Sequence, residues 1–139
     1  LFLGVTGSSC QPEASDAPWF EEITASSGVH FLHNPGAAGQ YRMPEILGSG
    51  CAIFDADGDD RLDLYFVQCG GAGSSSTNQL YRQEPDGTFR DATAGSGLGV
   101  AGHGMGAIAG DVTNDGLPEI VVTEVGAVRL FHNRGGGRF

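Results

Sequence analysis

Glycine and proline interrupt this chain so often that no stretch free of both exceeds 11 residues (59–69 and 74–84). A glycine inside a helix costs about 1 kcal/mol and a proline about 3. With 24 glycines and six prolines in 139 residues, helical bundles, coiled coils and doubly wound α/β folds are poor fits. An apolar share of 40% is too high for a chain that stays unfolded. An all-β architecture of short strands and glycine-rich turns remains.

The chain repeats itself. Phe20-Glu-Glu-Ile-Thr-Ala-Ser-Ser-Gly-Val29 matches Phe89-Arg-Asp-Ala-Thr-Ala-Gly-Ser-Gly-Leu98, 69 positions on. The segment from Gly50 to Leu64 matches that from Gly106 to Ile120, 56 positions on. Gln79 to Phe89 matches Arg129 to Phe139, 50 positions on. The shrinking offset means shorter loops in the second copy. Each copy reads as strand, acidic loop, strand, loop, strand, glycine turn, strand. The runs Leu62 to Val67 and Ile120 to Thr123 have the apolar, β-branched and aromatic character of buried strands. Asp86-Gly87 marks a hairpin before Phe89. Four short antiparallel strands per repeat describe a propeller blade, and a blade must stack on neighbours to bury its faces.

Charge concentrates where chemistry is expected. Seven basic residues against 17 acidic ones give a net charge of −10, a surface that repels phosphate backbones, so no nucleic-acid partner is expected. Asp55-Ala-Asp57-Gly-Asp59-Asp-Arg61-Leu-Asp63 puts acids at positions 1, 3, 5 and 9 of a nine-residue loop. Ca²⁺ takes about six to eight oxygens, and such a loop turns alternate groups inward to supply them. Asp55, Asp57, Asp59 and Asp63 would give carboxylates and Arg61 its carbonyl. Asp60 stands at the sixth position, where a positive φ favours glycine, and Asp tolerates that region better than most residues. The second loop offers Asp111, Thr113, Asp115, the Leu117 carbonyl and Glu119. It carries fewer charges and should bind Ca²⁺ more weakly. Neither loop continues as an EF-hand, which would need Glu where Phe66 and Val122 stand.

These phrases give the chain a resemblance to FG-GAP/VCBS-type β-propellers, and more closely to the CRTAC1-like group of secreted proteins associated with an ASPIC/UnbV domain. The resemblance rests on Phe20-Glu-Glu-Ile-Thr24, Pro44-Glu45 with Gly48-Ser-Gly50, the acidic loop running into Leu64-Tyr65, Leu80-Tyr81-Arg82, Asp86-Gly-Thr-Phe89 and Gly104-Met-Gly106. It implies a multi-bladed propeller with Ca²⁺ between the first strands of each blade. Residues 19–139 would supply about two four-stranded blades of it.

Gly7-Ser-Ser-Cys10 resembles a bacterial lipobox, so residues 1–10 are expected to be the remnant of a lipoprotein signal with Cys10 as the lipidated residue. Residues 11–18 then form a tether, and the chain reads as a fragment cut at both ends. Cys51 and Cys69 flank the acidic hairpin and form either a disulfide or two buried free thiols. Trp19 is expected to anchor the entering strand. His30 and His33 are spaced to face opposite sides of a strand, and His103 and His132 read as loop and surface positions.

No Gly-x-Ser-x-Gly elbow, P-loop or HExxH zinc motif occurs. The carboxylates share one tight loop instead of facing across a cleft, unlike a glycosidase pair. The sequence thus predicts an exported, cell-envelope or secreted Ca²⁺-binding module, non-catalytic, with a protein or glycan ligand. Membrane attachment would come only through a lipid anchor at Cys10. Two alternatives are a propeller enzyme whose catalytic residues lie outside this chain and a structural support for a further C-terminal domain.

Overall fold

The computed structural model describes residues 18–139. The expected signal remnant, Cys10 and all of the tether except Pro18 lie outside these residues. The fold is all-β, with seven strands in two antiparallel sheets. The first sheet holds β1 (Cys51–Phe54), β2 (Asp63–Phe66), β3 (Gln79–Gln83) and β4 (Phe89–Asp91) in sequential order. The second holds β5 (Gly104–Gly110), β6 (Glu119–Glu124) and β7 (Ala127–Phe131). Two short helices, α1 (Thr24–Ser27) and α2 (Met43–Leu47), precede the strands. Among the described residues, no helix is long and apolar enough to cross a membrane.

Each acidic loop joins the first two strands of its sheet, as the repeat predicts. The second copy has three strands where four were expected. Its turn closes as the first does: Arg134 N–H donates to Arg138 O, the counterpart of Glu84 N–H to Thr88 O. The position of β4 is then reached only at Phe139, the last residue of the sequence, whose N–H donates to Ser96 O.

Strand alternation explains the core. Ala52, Phe54, Tyr65 and Leu80 lie on one face of the first sheet and are buried against Ile120 and Val122 of the second. Tyr65 is anchored by polar contacts as well. Its hydroxyl donates to Leu98 O (3.1 Å) and accepts from Asn78 Nδ2 (2.8 Å). Burial pushes its pKa up to about 12, so it stays a neutral donor. The repeat equivalents of Ala52, Tyr65 and Leu80 are Ile108, Val121 and Leu130, which share the other face of the second sheet. There Ile108 and Leu130 are exposed, at 68% and 61%. The face that one copy buries is therefore bare in the next, which is the head-to-tail stacking expected of a propeller fragment.

Glycines set the distance between the sheets. A Cβ at Gly50 would lie 2.6 Å from Gly106 Cα, its own repeat equivalent, so the entries to β1 and β5 touch backbone to backbone. Gly97 has φ +86°, and a Cβ there would lie 2.6 Å from Phe139 O. Gly28, its equivalent in the first motif, stands against Phe89 O in the same way.

Two expectations fail. Trp19 is 94% exposed and anchors nothing, because residues 19–23 pair with no strand. The Phe20–Val29 motif contains the single turn of α1, held by Ser27 Oγ–H donating to Thr24 O, just as Ser96 Oγ–H donates to Thr93 O in the second copy. Cys51 and Cys69 are both free. The β1–β2 register sets Cys51 opposite Phe66, three residues short of Cys69. Cys51 is exposed, and only Cys69 is a buried thiol.

The bare face predicts an asymmetry. Leu80→Ala should cost about 2–5 kcal/mol by opening a cavity, whereas Leu130→Ala should cost less than about 1. Chemical denaturation of both variants of this chain checks this, and equal losses would contradict the stacking.

Candidate metal centre

Both acidic loops fold on backbone bonds to their own carboxylates. Asp55 accepts the N–H groups of Asp57, Gly58, Asp59 and Asp60. Asp111 accepts those of Asp115 and Gly116, which are the equivalents of Asp59 and Asp60. Asp59 accepts from Arg61 N–H, and Asp115 from Leu117 N–H. The sixth position has positive φ in both copies, +65° at Asp60 and +88° at Gly116, as the sequence predicts. The fourth does too, at Gly58 (+84°) and Asn114 (+58°).

The ninth position ties loop to sheet. Asp63 is fully buried and accepts Ala56 N–H (2.9 Å) and Gln83 N–H (2.8 Å). Glu119 is 1% exposed, and its Oε2 accepts Val112 N–H and Thr113 N–H. Asn133, also buried, donates through Nδ2 to Ala56 O and Pro118 O, and so joins the two loops side by side.

The carboxylates differ in what satisfies them. Burial pushes Asp55 upward, but its four backbone N–H donors outweigh this and hold it below the usual range. Asp57 goes the other way. Its burial dominates, the charges of Asp59 and Asp55 add to it, and Arg82 offsets them only in part. Its side chain is 3% exposed, and neither oxygen has a hydrogen-bond partner of proper geometry, although Arg82 Nη2 pairs with Oδ2. Asp63 is likewise raised by burial, against the pull of Gln83 and Ala56. Asp57 and Asp63 line a cavity of about 260 Å³ together with Leu80 and Arg82.

Among the described residues, two groups bring ligand atoms within 4.8 Å of one another: Asp55, Asp57 and Asp63 in the first loop, and Asp115, Glu119 and His132 at the second. Asp59 lies outside the first group, since Arg61 and Arg82 engage its carboxylate. Asp111 lies outside the second, and Thr113 reaches it only through Oγ1, 3.4 Å from Glu119 Oε1. The donor set of the first loop fits a hard cation. It offers carboxylate oxygens, one of them buried and without a hydrogen bond, which a divalent ion would satisfy.

Sequence reasoning missed Arg82, His132 and Asn133. His132 reads as a surface position, yet its Nδ1 lies 2.9 Å from Glu119 Oε1. The available signal was its alignment with Arg82, 50 positions earlier, at the end of the strand that flanks the closing carboxylate. The His30/His33 pair belongs to neither converging group.

Residues 55–122, from the first acidic loop through most of β6, match the family model of the FG-GAP-like repeat. Neither the curated proteins nor the solved structures give a match. The matched span covers one whole acidic loop, the connection between the sheets and the second loop. It supports an FG-GAP-repeat protein of propeller type.

A buried carboxylate whose charge Arg82 offsets only in part predicts a reversal. In chelator, Asp57→Asn should leave the protein as stable as before or raise its stability by about 1 kcal/mol, because a costly buried charge is removed. With excess Ca²⁺ the order should invert. Thermal melts in both conditions check this, and a variant that is less stable in chelator would contradict it.

Proposed function

We propose that this chain is part of an exported, calcium-binding β-propeller module that binds a protein or glycan and is not catalytic. The observation that carries the calcium reading is Asp57, a buried carboxylate paired with Arg82 but without a hydrogen-bond donor of proper geometry, held beside Asp55 and Asp63. In this reading Asp55, Asp57 and Asp63 hold Ca²⁺ in the first loop, with Asp59 and the Arg61 carbonyl as further oxygens. The ion offsets mutual repulsion in the most acidic segment and fixes the hairpin between β1 and β2. Asp111, Thr113, Asp115, the Leu117 carbonyl and Glu119 form the weaker second site. Two filled sites would take the formal charge from −10 to −6.

The binding role draws on the FG-GAP-like match and on the loops' placement at one edge of two stacked sheets. A rigid loop edge on a stacked scaffold presents a constant surface to a ligand. The relation to the ASPIC/UnbV-associated, CRTAC1-like group and envelope anchoring through Cys10 belong to the same proposal.

Calorimetric titration of the 139-residue chain with Ca²⁺ tests it. Saturable binding should occur, with stability raised by about 2.7 kcal/mol at a hundredfold excess over Kd. Asp57→Ala should lose that gain at the first site. A folded chain that binds no Ca²⁺ would overturn the reading. For the anchor, expression with a labelled fatty acid should mark the protein, and Cys10→Ser should abolish the label.

A further inference from the structure

The two repeats differ where a side chain at the end of the third strand of each sheet, or just after it, reaches the acidic loop. In the first copy this residue is Arg82, which pairs with Asp57 and Asp59. In the second it is His132, against Glu119. A guanidinium has no free lone pair and can only stand beside carboxylates as a cation. An imidazole can ligate a metal.

We propose that Asp115, Glu119 and His132 form a site for a d-block divalent cation such as Zn²⁺, with a selectivity distinct from that of the first loop. Three separate pieces of chain bring these donors together: the turn of the loop, the start of β6 and the residue after β7. Their ligand atoms lie within 4.8 Å of one another. Two carboxylates and one imidazole suit Zn²⁺ in number and type, leaving a fourth position for solvent. The same three groups supply few of the roughly six to eight oxygens that Ca²⁺ wants, in keeping with the weaker calcium site proposed for this loop, which shares Asp115 and Glu119. Asp111 lies outside the converging group. Glu119 is buried and oriented by Val112 N–H and Thr113 N–H, while Asp115 and His132 are exposed, so the site opens to solvent on one side.

This inference rests on the acidic hairpins being cation sites and not on Ca²⁺ occupying the first. The test uses the whole 139-residue chain and the metals alone. Zn²⁺ titrated by calorimetry should bind with one tight equivalent that His132→Gln removes. Even outer-shell partners of a metal contribute about 10–100-fold in affinity, so loss of a direct ligand should weaken Zn²⁺ by at least tenfold. His132→Arg, which copies the first loop, should abolish the site as well. Asp57→Asn should leave it intact. In the unsubstituted protein the imidazole proton resonances of His132 should shift or broaden at one equivalent of Zn²⁺, a readout that does not depend on any variant folding. Unmoved His132 resonances, or tight Zn²⁺ binding that persists in His132→Gln, would overturn the proposal. Ca²⁺ bound at the first loop with no Zn²⁺ effect at His132 would sink this inference alone. Zn²⁺ at His132 without Ca²⁺ at the first loop would support it and sink only the calcium reading.

Discussion

A buried carboxylate at the ninth position of each acidic loop is the constraint on which the rest depends. Asp63 and Glu119 have almost no solvent contact, and each must find donors inside the protein. Asp63 takes one N–H from the start of its loop and one from the end of β3. A single side chain thereby fixes the hairpin's closure and the position of the third strand. Glu119 closes its own loop through Val112 and Thr113 and faces His132 from the end of β7. Leaving such a group unpaired would cost several kcal/mol, so the local geometry has little freedom. Asn133 extends the constraint from one copy to the other by donating to a carbonyl of each loop.

That constraint also explains where apolar burial is completed. Fixing the hairpins sets the strand alternation, and alternation sends Tyr65 and Leu80 toward Ile120 and Val122. The same alternation in the second copy sends Ile108 and Leu130 outward. A heterologous stack always ends on a bare face unless it closes into a ring or continues. The exposed apolar face thus follows from the repeat itself.

Much of this was legible in the sequence because it is local. The acidic spacing, the positive φ at Asp60 and the hairpin at Asp86-Gly87 each follow from a few adjacent residues. What escaped depends on register or on distant partners. The Cys51–Cys69 pairing fails by three positions of strand register. The Trp19 expectation assumed a strand that residues 19–23 do not form. For α2, the signals were present as Pro44 in its first turn and Gly48 at its end, but a five-residue helix leaves too weak a period to read. Arg82 and His132 act across a strand, so only their alignment with each other could have pointed to the loops.

The comparison of the two copies separates structural carboxylates from chemical ones. Asp55 and Asp111, Asp59 and Asp115, and Asp63 and Glu119 all hold backbone N–H groups, and all six positions keep an acid. Asp57 and Thr113 hold no backbone group through their side chains, nor does His132, and these are among the places where the copies differ. Substitution there changes the charge beside the loop carboxylates without removing a backbone bond that shapes the loop. One backbone frame can therefore carry an oxygen-rich site with a resident guanidinium in one copy, and a carboxylate–imidazole site in the other.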